Sequence, residues 1–108
     1  MRRIVWAADA LDELADIIDY IARDDPRAAA RVADRIEDAV ARLASMPTGR
    51  PGRVAGTFEK VLPGLPYIIA YALRSEPSED EIVAVLRVIH GARNWHGARN
   101  WPSGQWPS

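Results

Sequence analysis

A chain of 108 residues with a formal net charge of -1 is the length of one domain, enough for a single modest core and too short for two. Hydrophobic residues make up 48%, which excludes a disordered chain, and the absence of cysteine excludes disulfide frameworks and thiolate metal centres. Residues 1–46 carry seven basic against ten acidic side chains and residues 47–108 carry seven against five, a mild asymmetry that argues against a large nucleic-acid footprint.

No apolar run approaches the roughly 18 residues of a membrane helix. The N-terminus runs into patterned sequence without the apolar core of a signal peptide, so a cytoplasmic location is expected. Ile4-Val5-Trp6 predicts a short edge strand. An amphipathic helix is predicted over about residues 8–23, with Leu11, Leu14, Ala15, Ile18, Ile21 and Ala22 on one face and Asp12, Asp16, Asp19 and Arg23 opposite. Asp9, Asp12 and Glu13 suit the positive end of that helix's dipole.

Asp25 and Pro26 read as N-cap and first residue of a second helix, which Pro47 stops. Ala29, Val32, Ala33, Ile36, Ala39, Val40 and Leu43 form its apolar stripe, and the short connection predicts an antiparallel helical hairpin. Arg27, Arg31 and Arg35 stand four apart on this helix, softened by Asp34 and Asp38, and read first as a solvated face. The glycines and prolines of residues 48–57 predict loop.

Three strands follow: Phe58 to Leu62, Tyr67 to about Leu73, and Ile82 to Ile89. Tyr67-Ile68-Ile69-Ala70-Tyr71 has no charge and reads as a strand buried on both faces. Short connections make the three an antiparallel meander, and the hairpin must cover one face of it. The expected fold class is α+β: a helical hairpin packed on a small antiparallel sheet, in the order β-α-α-β-β-β. The single domain is expected over 1–95. His90-Gly91-Ala92-Arg93-Asn94-Trp95 is repeated at once as His96 to Trp101, so 96–108 reads as a duplicated, mobile tail.

A cation inside a sheet strand needs a reason to be there. Arg87 sits in the last strand, where it can pair with a carboxylate of the hairpin or lie along the sheet and reach solvent. His90, at the strand end, is most simply a hydrogen-bonding residue that closes the sheet. Arg50 and Arg53 in the glycine-proline loop, with Lys60 and Trp95, are candidates for partner binding.

Trp6 to Leu14 with Ile18 to Ile21, Asp25 to Ala29, Gly49 to Val54 with Gly56-Thr57, Pro66-Tyr67 with Tyr71, and Leu86 to His90 recur together in one family. In their order and spacing the chain resembles the RelE/ParE superfamily of toxins from bacterial type II toxin–antitoxin systems. The resemblance implies the fold just derived, growth inhibition, a role in plasmid stabilisation, and a cognate antitoxin that wraps the toxin. It implies no cofactor and no metal. A homodimer or a toxin–antitoxin hetero-oligomer is compatible with it.

The superfamily divides by target. RelE-like members resemble ribonucleases that cut mRNA on the ribosome, whereas ParE-like members poison DNA gyrase and generally lack the nuclease residues. Attack by a 2'-hydroxyl needs a base, a cation to hold the phosphate charge and an acid for the leaving oxygen. Glu59, Lys60 and His90 are candidates for acid or base, and Arg87 and Arg93 for charge stabilisation; the RelE-like set is His90, Arg87 and Arg93. His90 matches an acid/base histidine of RNA-cleaving relatives. However, Ile68 and Phe58 stand where such relatives carry arginine. The ParE-like reading, with DNA gyrase as target, is therefore the expectation. The alternatives are a RelE-like mRNA endonuclease acting on the ribosome and a degenerate member that only binds antitoxin.

Overall fold

The computed structural model describes residues 2–76 and 79–91, so Arg93, Trp95 and the repeated tail lie outside the described residues. The elements in chain order are β1 (Arg3–Trp6), α1 (Ala8–Ala22), α2 (Pro26–Arg42), β2 (Arg50–Pro51), β3 (Thr57–Val61), β4 (Tyr67–Glu76) and β5 (Glu79–His90). They form two helices on one sheet of order β1-β5-β4-β3-β2. The expected class and element order hold, with two additions. β1 pairs β5 in parallel, from Arg3 opposite Ile82 to Trp6 opposite Val85, so the sheet is mixed. A parallel pair requires a long crossover, and here the helical hairpin and the strands up to β4 supply it. Within the expected loop, Arg50 and Pro51 pair with Glu59 and Phe58 and make a fifth strand.

The loop reaches β3 so closely that a Cβ on Gly49 would lie 2.8 Å from the Glu59 carbonyl oxygen, and Gly49 takes φ +137. Only glycine is at ease there.

α2 begins as its sequence dictates. The Asp25 carboxylate accepts from the backbone N–H of Arg27 and of Ala28, each at 3.1 Å, and Pro26 follows as the first helical residue. The helix ends at Arg42, ahead of Pro47, because the next turn tightens: Leu43, Ala44 and Ser45 donate to carbonyls three residues back. Ala29, Ile36, Val40 and Leu43 are buried, as the stripe foretold.

α1 is rotated from its expected phase. Ala10 is fully buried whereas Leu11 is 49% exposed. Apolar residues cover so much of this helix that periodicity alone leaves its facing loosely determined, and the small Ala10 takes the position of closest approach. The inward stripe is therefore Ala10, Leu14, Ile17, Ile18 and Ile21. Glu13 shares that side.

The main core joins Ala10 and Leu14 of α1, Ile36 and Val40 of α2 and Leu43 just past it to Tyr67, Ile69, Tyr71, Val83, Val85 and Val88 of the sheet. Ile68, Ala70 and Ile89 form a second, smaller cluster. Tyr67 to Tyr71 are all buried, so the central run is covered on both faces as its composition implied. No helix among the described residues is long and apolar enough to cross a membrane.

β4 and β5 do not stay in simple register. Ala70 lies opposite Arg87 but Tyr71 lies opposite Val85, leaving Leu86 as an extra residue. Such a bulge changes which residues share a face. Before it Val83 and Val85 enter the core; after it Val88 does, and Ile89 joins the second cluster.

Tyr71 is fully buried and donates its hydroxyl to the Thr48 carbonyl at 2.7 Å. Burial pushes its phenol above the ordinary 10.0, opposed in part by the charge of Arg2. The folded state therefore holds this proton more tightly than the unfolded state. The associated stability is complete below the ordinary tyrosine value and is lost as pH rises past it. Tyr71→Phe should flatten the alkaline decline in stability between about pH 9 and 11, as measured by urea midpoints; a decline of unchanged steepness would assign it to other groups. Asp25→Ala should lower stability by about 1 kcal/mol in the same assay, by removing the N-cap.

Candidate functional site

β1 leaves the sheet after Trp6, and the Ala7 N–H makes a last bond to the Val85 carbonyl at 2.8 Å. The chain then turns into α1, and β5 runs on past the bulge without β1 beside it. Glu13 of α1 fills the missing place. Its Oε1 accepts from the Val88 backbone N–H at 2.9 Å. Arg87 Nε donates to both of its oxygens at 2.9 Å, and Arg87 Nη2 donates to Oε2. This pair is about one-quarter exposed on each side. The hydrogen bonds to Glu13 push the Arg87 guanidinium above its ordinary value; burial opposes that shift, and the charges of Glu13 and Asp9 add to it.

Arg87 is thus the partner of a hairpin carboxylate, the first of the two placements open to it from sequence. The role of Glu13 was not visible there: its position near the helix start suggested dipole compensation, but its partner lies 74 residues away. Only the facing of α1 identifies the pair.

His90 closes β5 opposite Tyr67, with the two rings edge to face at 88° and centroids 5.4 Å apart. Its Nδ1 is buried and has no hydrogen-bond partner among the described residues. With Tyr67 it forms one wall of a cavity of about 320 Å³, whose other wall is Asp16, Ile17, Tyr20 and Ile21 of α1. Asp16, which the sequence places on the polar face, and Tyr20, to which it gives no role of its own, are therefore part of this site. The spacing 16, 17, 20, 21 is the available signal, because it puts four residues on adjoining rows of one helix face.

The loop candidates gather elsewhere, at the β2–β3 corner. Glu59 is only 3% exposed. Its carboxylate accepts from Arg50 Nη2 at 3.5 Å and from the Arg53 backbone N–H at 3.2 Å. Lys60 Nζ donates to Thr48 Oγ1 at 2.8 Å. Arg50 and Arg53 are exposed on this corner. Glu59 lies opposite Ala70 and Ala70 opposite Arg87, so one strand separates the corner from the end of β5. The candidates thus fall into two groups: Arg87 and His90 beside α1, and Arg50, Arg53, Glu59 and Lys60 at the corner. Arg93 and Trp95 lie outside the described residues.

The family model described as ParE toxin of type II toxin-antitoxin system, parDE, matches residues 4–95. The chain belongs to the ParE toxin family. This ParE-family toxin is 45% identical over 95 residues to the putative toxin Y4kP of Sinorhizobium fredii, covering 87% of this chain and 93% of that one. It is 36% identical over 94 residues to toxin RelE2 of Caulobacter vibrioides, covering 86% and 99%. Its fold matches a solved structure, the chromosomal ParDE TA system from P. aeruginosa, with TM-score 0.73 at 22% identity, over 83% of this chain and 96% of that one.

In this toxin the Glu13 clasp fixes how α1 meets β5. Glu13→Ala leaves both a guanidinium and a backbone N–H short of their partner and should cost about 2–3 kcal/mol. Glu13→Gln keeps an acceptor for Val88 and should cost less. Urea unfolding of the two variants would check the order, and equal losses would show that the Val88 bond contributes nothing.

Proposed function

We propose that this toxin inhibits growth by binding DNA gyrase, in the ParE-like manner, and is neutralised in the cytoplasm by a cognate antitoxin. The observation that carries the reading against RNA cleavage is the commitment of Arg87 to Glu13. A phosphate-stabilising cation must be available to the reacting group, and this one already holds a carboxylate. Loss of one such stabiliser typically costs about 2–4 kcal/mol of barrier.

The surroundings of His90 support the same conclusion. α1 carries Asp9, Asp12, Glu13, Asp16 and Asp19 and no basic residue. Asp16 lines the cavity that His90 lines. A phosphate brought there would meet a carboxylate, at a cost of roughly 1 kcal/mol near 4 Å in water and more where water is excluded. Basic side chains at the β2–β3 corner suit contact with a protein surface of opposite charge.

One feature favours the endonuclease reading: His90 Nδ1 has no hydrogen-bond partner among the described residues, and the ring stands at the edge of a cavity, as an acid or base would. The two readings separate cleanly. Purified toxin should block supercoiling by gyrase and leave mRNA intact in a translation reaction. His90→Ala should remain fully toxic. Shortened mRNA together with loss of toxicity in His90→Ala would replace the gyrase reading by the nuclease one.

A further inference from the structure

The cavity between α1 and the paired ends of β4 and β5 has the chemistry of a receptor for one side chain. We propose that it is a socket for an arginine presented by the antitoxin, an inference that rests on the reading of this chain as an antitoxin-bound toxin.

Its walls differ in kind. Ile17 and Ile21 supply aliphatic surface, Tyr20 and Tyr67 supply aromatic surface, and Asp16 supplies the one formal charge. The Asp16 carboxylate makes no ion pair or hydrogen bond with another described residue, and Tyr20 is 65% exposed. An unmatched carboxylate above an apolar floor selects a ligand with a long aliphatic stem and a cationic end. The other carboxylates of α1 strengthen that choice, since among the described residues only Glu13 of these forms an ion pair. A phosphate or nucleotide is disfavoured by the same charges.

Arginine fits better than lysine for three reasons. Its planar fork can meet both oxygens of Asp16 at once. Its face can lie against the exposed ring of Tyr20. It also has N–H groups to spare for His90. The ring packs edge to face on Tyr67, but no bond among the described residues holds the imidazole Nδ1, so no hydrogen bond there fixes its tautomer.

The test uses the full chain and two probes. N-acetyl-arginine amide is titrated while the ring resonances of His90 and Tyr20 are followed by NMR, with N-acetyl-citrulline amide as the neutral isostere. A saturable shift of both rings is expected with arginine, at least tenfold weaker with citrulline. Asp16→Asn and Tyr20→Ala should each weaken arginine binding about tenfold; both side chains are exposed, so the fold is not at stake. Absence of the shift, equal response to citrulline, or an unchanged Asp16→Asn would overturn the socket.

The product of the adjacent reading frame is then co-expressed. Its affinity should fall at least tenfold with Asp16→Asn. If the arginine probe binds and this affinity is unchanged, the antitoxin is not the source of the arginine and the proposal fails. If wild-type toxin forms no complex with that product, the antitoxin reading fails instead, and the probe titration still decides whether the socket exists.

Discussion

The carboxylate of Glu13 holds together what would otherwise be a weak seam. A strand that gives up its neighbour halfway along is left with backbone donors that need partners. In this toxin that happens to β5 after Val85, where β1 turns away into α1. Glu13 takes the Val88 N–H and the Arg87 guanidinium together, so one side chain substitutes for a piece of missing strand and fixes the helix against the sheet. The facing of α1, the orientation of Arg87 and the position of the cavity wall opposite His90 all depend on that contact.

Charge is divided between two parts of the fold. α1 is wholly acidic and flanks the end of β5, while Arg50, Arg53 and Lys60 sit at the β2–β3 corner. The net charge of -1 conceals this separation. A binding protein benefits from such a division, because fields of opposite sign orient a partner before contact.

Much of the architecture was legible in the sequence because local chemistry and the global fold agree. Asp25-Pro26 capped its helix, the alanine-rich stripe of α2 faced inward, and the uncharged run of β4 was buried on both faces. What escaped has a common cause. The rotation of α1 depends on which of many apolar residues meets β5, and that is decided by tertiary contact rather than by period. The clasp joins residues 74 positions apart. β2 has only two residues and exists through its pairing with β3. The site was half legible: Arg87 stands out as a cation in a strand and His90 as a strand-end histidine matching an acid/base position of the family, while Asp16 reads as polar surface and Tyr20 carries no signal of its own until the cavity shows what they face.

The extra residue at Leu86 separates β5 into two segments with independent facing. Ahead of it the ribbon obeys the hydrophobic interior; behind it the alternation starts again in the opposite phase. Deleting that one residue would leave the composition of the strand almost untouched, yet it would turn His90 to the far side and Ile89 towards α1. The chemistry of the terminal segment is therefore set by a count of residues as much as by their identity.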